Sequence, residues 1–168
     1  MNIIRDLTLI ANLATEREEE NYDFRSFLKG KDDKKVDAIV HRLNEDISAQ
    51  IDCTQCGNCC RSLMITLEKA DTTRLSKHLG ITKEDFEKKF VEKSAEDQTN
   101  IFNKIPCHFL DENKCTVYEA RPNDCREFPH LHKPGFTSRL FSVIDNYGRC
   151  PIVFNVFEAL KKRLRFKV

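Results

Sequence analysis

No window of this 168-residue chain holds the roughly 20 consecutive apolar residues that a membrane-spanning helix needs. Neither sign of charge predominates: 28 basic residues stand against 27 acidic ones, for a formal charge of +1. Such a balance gives no electrostatic reason to expect nucleic acid or an anionic membrane as the partner. The opening residues, MNIIRDLTLIANLATEREEE, show neither a basic leader nor a clean apolar core of a signal peptide. The expected location is therefore the cytoplasm, where a reducing environment keeps cysteines as thiols unless metal holds them. No Ser/His/Asp order, phosphate-cradling glycine loop or paired carboxylates stand out from the charged background. Internal repeats, low-complexity tracts and clear domain boundaries are lacking too. The length suits one domain over residues 1–168, with N-terminal helices in 1–50, a cysteine-bearing core in 51–151 and a C-terminal helix in 152–168.

What the chain does have is cysteine. Four thiols fall within Cys53-Thr54-Gln55-Cys56-Gly57-Asn58-Cys59-Cys60, and Cys107, Cys115, Cys125 and Cys150 follow. Two residues between cysteines let a tight turn aim both sulfurs at one ion, while backbone N–H groups donate to the sulfurs. Gly57 relaxes that turn, because glycine accepts positive φ without steric cost. Adjacent side chains such as Cys59 and Cys60 diverge on a strand and lie about 100° apart on a helix. They suggest two neighbouring metal positions, or one extended cluster. Eight thiols also match two four-cysteine sites. Four disulfides are the competing reading of an even count, and the absent leader and the crowding of the first four argue against it.

The second four thiols sit in turn-forming surroundings. Cys107 follows Ile105-Pro106, Cys115 ends the polar run Asp111–Lys114, and Cys125 follows Arg121-Pro122-Asn123-Asp124. Cys150 precedes Pro151, where a helix N-terminus favours a thiolate. The competing fate of each is that of a small buried hydrophobe. Arg61, Arg121 and Arg126 lie near cysteines and offer charge to offset thiolates, although surface arginine is an equal reading. His108, His130 and His132 read first as surface or hydrogen-bonded side chains, with a ligand role as the alternative. Zinc favours paired CxxC units, of which Cys53 and Cys56 form one. Iron–sulfur clusters use C-x2-C-x2-C runs with a distant cysteine before proline, which Cys53, Cys56, Cys59 and Cys150-Pro151 follow loosely. The triple run leans toward iron–sulfur.

Around the thiols the periodicity is helical. Ile3, Ile4, Leu7, Ala11 and Ala14 share one face, with Glu16–Glu20 as a turn or helix end. Tyr22, Phe24, Phe27 and Leu28 form a short apolar cluster, expected to pack on the next helix, with a cover over the metal region as the alternative. Val36, Ile39, Val40, Leu43 and Ile47 mark that helix, which leads into the cysteines. Leu63–Leu67 reads as a strand or a lead into a helix, and Ala70–Leu79 as a helix closed by Gly80. Thr82 with Asp85 resembles a capping box before Phe86, Phe90 and Val91. Lys93–Asn103 is polar and irregular. The segment from Ile105 to Cys150 is loop-rich, with Thr116–Tyr118 and Leu140–Ile144 as a candidate strand pair. Pro151 opens a last helix striped by Val153, Val156, Phe157, Leu160 and Leu164, with Lys161–Arg165 suiting its C-terminal dipole. The fold class expected is mainly α: a small irregular domain with helices around a cysteine-rich metal-bound loop core and at most a small β element.

These motifs in order carry a resemblance. The set is Cys53-x-x-Cys56-Gly57-x-Cys59-Cys60-Arg61, Pro106-Cys107-His108-Phe109-Leu110, Cys115-Thr116-Val117-Tyr118, Arg121-Pro122-x-x-Cys125-Arg126-x-Phe128-Pro129 and Cys150-Pro151. It resembles the YkgJ-like cysteine-cluster family of CxxCxxCC proteins, to which zinc or iron chelation is ascribed. The resemblance implies metal binding through Cys53, Cys56, Cys59, Cys60, Cys107, Cys115, Cys125 and Cys150. The same pattern occurs in flagellin lysine methylases, which look like iron–sulfur proteins using S-adenosylmethionine; no stretch here suggests a place for that cofactor. The functional expectation is an iron–sulfur or zinc protein in a redox or accessory role, working with a protein partner or redox enzyme. A structural zinc-binding interaction module and a metalloenzyme are the alternatives.

Overall fold

The computed structural model describes residues 2–167. The chain runs through α1 (Leu7–Glu16), α2 (Glu18–Leu28), α3 (Asp33–Ser48), α4 (Cys53–Cys56), α5 (Asn58–Ser62), α6 (Lys69–Leu79) and α7 (Lys83–Phe90). Strands β1 (Val91–Lys93), β2 (Asn100–Phe102), β3 (Leu110–Asp111) and β4 (Lys114–Cys115) follow, then α8 (Asn123–Glu127), α9 (Leu140–Tyr147) and α10 (Pro151–Arg163). The protein is mainly α, and its two sheets are antiparallel pairs, β1 with β2 and β3 with β4. None of the described helices is long and apolar enough to cross a membrane. The chain divides into two compact units, one made of residues 1–52 and 129–168, the other of residues 53–128.

In the first unit α10 is the core. Every residue from Pro151 to Phe157 is buried, as are Ala159, Leu160 and Lys161. A helix apolar on nearly all sides must be covered on all sides, and α1, α3 and α9 pack against it. Phe157 meets Phe24 edge-on at 5.2 Å and Tyr147 at 5.6 Å. Two polar residues of α10 are buried with full complements of partners. Asn155 accepts from the Ile4 amide (3.0 Å) and donates to the Ile4 carbonyl (2.7 Å), which docks the N-terminal segment. Lys161, 5 % exposed, donates to Glu20, Asn21 and Glu158 at 2.7–2.9 Å. Lys161 lies in the last turn of α10, as its fit to the helix dipole leads one to expect, and its ammonium also anchors α2 to α10.

Asp6 caps α1 by accepting from the Leu9 amide, and the buried side chain of α1 is Ile10, while Ala11 is exposed. The apolar cluster at 22–28 lies within helix α2, which begins in the acidic run. Leu140–Ile144 is helical rather than a strand, and Thr116–Tyr118 leads into a 3-10 turn at Tyr118–Ala120. The buried residues of α9, Leu140, Val143 and Tyr147, recur at three- and four-residue spacing, a helical period that a five-residue window does not reveal.

The second unit gathers Ile65, Leu67, Leu75, Phe86, Phe90, Phe102, Phe109, Val117 and Ala120 into its own apolar cluster. The stretch after α5 is extended: Phe102 donates to the Ile65 carbonyl (3.1 Å) and Leu67 to that of Asn100 (2.8 Å). It then enters α6, so Leu63–Leu67 is the lead into a helix, and it touches β2 through an isolated bridge between Thr66 and Ile101. The capping box belongs to α6, where Glu68 and Asp71 satisfy each other's backbone amides. At α7 Thr82 caps Asp85 in one direction. Asp71, 1 % exposed, also accepts from Arg74 (2.5 Å) and from the Asn123 amide (3.1 Å). One buried carboxylate thus ties the start of α8 to α6, and a buried charge is tolerated because each oxygen has donors.

Candidate metal centre

All eight cysteines are thiols rather than disulfide halves. Seven fall in the 53–128 unit, on short elements. Cys53 and Cys56 bracket α4, Cys59 and Cys60 lie on α5, Cys107 follows a cis Ile105–Pro106 bond, Cys115 ends β4 and Cys125 is in α8. Six of them, Cys53, Cys59, Cys60, Cys107, Cys115 and Cys125, line one cavity of about 160 Å³. Ile65, Phe102 and Val117 supply its apolar wall, and Arg121, Arg126 and Asn113 its polar part. Cys107, Cys115 and Cys125 also pack on the unit's apolar cluster, which backs the cavity. Cys56 is not among the lining residues. Cys150 belongs to the other unit, 7 % exposed at the N-cap of α10.

The backbone sets these positions. Gly57, at φ +60°, separates α4 from α5. A Cβ there would lie 2.9 Å from an Arg61 nitrogen and 3.0 Å from the Asn113 backbone, so only glycine lets the β3–β4 turn come this close. Arg61 donates to the Cys56 carbonyl (3.1 Å), the Glu112 carbonyl (2.5 Å) and Asn113 Oδ1 (2.5 Å). The Cys107 amide donates to the Cys60 carbonyl (2.8 Å), joining α5 to the third thiol-bearing segment. Arg74 donates to the Ala120 and Arg121 carbonyls, and Arg126 to those of Arg121 and Glu119. The arginines beside the thiols therefore tie loop carbonyls together, and Arg121 stacks on Tyr118 at 3.7 Å.

The thiols do not share one electrostatic environment. The Cys59 side chain and, less strongly, the Arg61 charge bring Cys60 down to about 7. Burial pushes Cys107 up to about 11, and the charge of Cys60 adds to it. Burial also raises Cys115 and Cys125, with Cys60 again contributing. Thiols raised by burial, as Cys107, Cys115 and Cys125 are, hold their protons until a cation supplies the opposing field. That donor set, sulfur with little oxygen, suits zinc or iron–sulfur rather than a hard ion such as magnesium or calcium.

Among the described residues, no group of three or more His, Cys, Asp or Glu side chains is arranged to hold a single metal ion. The six cysteines share the lining of one cavity. Cys59 and Cys60 bring their sulfurs to 4.0 Å. Two ligands on a zinc tetrahedron with 2.3 Å bonds stand about 3.8 Å apart, so the divergence expected of adjacent cysteines does not occur on this short helix.

A family model titled "CxxCxxCC: Putative zinc- or iron-chelating domain" matches residues 52–150, well over half of the chain. The chain belongs to the CxxCxxCC family. Metal binding follows at that level, and the cofactor is zinc or iron, as the cysteine spacing leads one to expect. No curated protein and no solved structure matches the chain. Within the CxxCxxCC match, His108 bonds Asn103 (2.7 Å) and meets the edge of Phe90 at 5.1 Å, which bears out its reading as a hydrogen-bonded side chain. His130 and His132 lie in the other unit. Asp71 and Asn113 escaped the sequence reading. Their signals were faint: a Glu-x-x-Asp cap with the usual residues exchanged, and a Glu-Asn pair at a tight turn.

Proposed function

We propose that the 53–128 unit binds an iron–sulfur cluster in its thiol-lined cavity and serves a redox or accessory role. The observation that carries this reading is the cavity itself: six sulfurs on a space of about 160 Å³, with no three among the described residues set around one ion. A polynuclear group uses sulfurs spread over such a wall better than a lone cation does. The apolar backing limits water and would let the protein set a reduction potential through burial and hydrogen bonding. A redox role calls for a protein partner that gives or takes the electron.

Zinc is the second reading, and the 4.0 Å separation of the Cys59 and Cys60 sulfurs favours it. Iron, zinc and acid-labile sulfide measured together on anaerobically purified protein separate the two. The expected result is a brown protein with iron and sulfide in equal amounts. Colourless protein with stoichiometric zinc would sink the iron–sulfur reading, and protein that takes up neither metal would sink both.

A further inference from the structure

Arg61 sits immediately after the cysteine run, where a cation invites the reading that its charge offsets thiolates. Its hydrogen bonds give it a further part. Two of its nitrogens reach three acceptors: the Cys56 carbonyl, the Glu112 carbonyl and Asn113 Oδ1. Those acceptors lie on two thiol-bearing segments far apart in sequence, the α4–α5 turn and the turn of the hairpin that ends at Cys115. The missing Cβ of Gly57 opens the space through which the guanidinium passes. A planar fork with fixed donor directions holds three acceptors at set distances, which the compact ammonium of lysine does not do.

We propose that Arg61 is a positioning residue for the metal centre. Its guanidinium fastens the Cys115 hairpin to the Cys53–Cys60 segment, and this geometry, rather than its charge, governs how tightly the metal is kept. The proposal rests on the metal-binding reading for its consequence and on geometry alone for the fastening.

The test compares full-length wild type with Arg61→Lys and Arg61→Gln, each as isolated. Hydrogen exchange over residues 110–116 reads the fastening. Both variants are expected to lose about tenfold or more in protection, since hydrogen bonds from a charged donor stabilise by more than one decade's worth. The rate of metal transfer to a chelator reads the consequence, with a rise of about 10–100-fold in both variants. Protection unchanged in both variants overturns the proposal whatever the metal content. An Arg61→Lys protein that keeps its metal as wild type does, while Arg61→Gln loses it, returns the role to charge and also overturns it. If Arg61→Lys fails to fold, Asn113→Ala decides, because it removes one acceptor on an exposed turn. A smaller loss of protection over the same segment is expected, and none at all is fatal. Wild-type protein that binds no metal refutes the functional reading separately, and the exchange measurement still judges the fastening.

Discussion

Helix α10 and the thiol-bearing segments of the 53–128 unit differ in what holds them. Helix α10 buries ten of its thirteen residues, and its neighbours are whole helices. The segments with Cys53, Cys107, Cys115 and Cys125 belong to elements of two to five residues or to loops, and arginine side chains catch the carbonyls of Cys56, Glu112 and Arg121 among them. In the first case stability scales with apolar area removed from water, which no single polar contact decides. In the second it depends on a few directional bonds and on ligand capture, so single substitutions should act locally and on metal content. Thiolate–metal bonds at a site absent from the unfolded chain add to folding free energy, and they do so where the protein has least regular structure.

Three substitutions would break or sharpen that contrast. Phe157→Ala empties the centre of the helical unit and should cost about 3–5 kcal/mol, read by chemical denaturation. Metal per chain, measured on the folded fraction, should stay at the wild-type value. Loss of metal in step with stability would erase the distinction. Asp71→Asn comes next, at about 2–3 kcal/mol, because it weakens charge-assisted bonds from Arg74 and the Asn123 amide. Its effect should appear as faster hydrogen exchange in α6 and α8, and equal acceleration throughout α10 would count against a local role. Gly57→Ala is the smallest, about 1–3 kcal/mol, from a positive φ with Asn113 backbone at 3.0 Å. It should weaken metal retention more than its stability cost alone accounts for. A variant that melts lower yet holds metal as wild type does would show the turn to be dispensable for the site.

Much of the helical unit was legible in advance. The stripe of Val153, Val156, Phe157, Leu160 and Leu164 and the face of Val36, Ile39, Val40, Leu43 and Ile47 are long enough for a 3.6-residue period to emerge; all proved buried except Ile39, Leu43 and Leu164, which are half-buried. Helix α9 was not, because a window of five residues at 140–144 is too short to separate a helix from a strand. Within the candidate metal centre the thiols were plain from the sequence, and so was the need for glycine at 57. Arg61 was visible only as a charge, since nothing at position 61 announces bonds to residues 112 and 113.

By itself the sequence determined the chemistry: thiols in CxxC spacing are soft donors wherever the chain leads them, so zinc or iron follows from residue type. Tertiary structure alone decided the grouping. Six thiols reach one cavity, while Cys150 is packed at the head of α10 in the other unit. Grouping depends on turns of two or three residues and on side-chain-to-carbonyl bonds across some fifty positions, and such contacts leave no periodic trace in the order of amino acids.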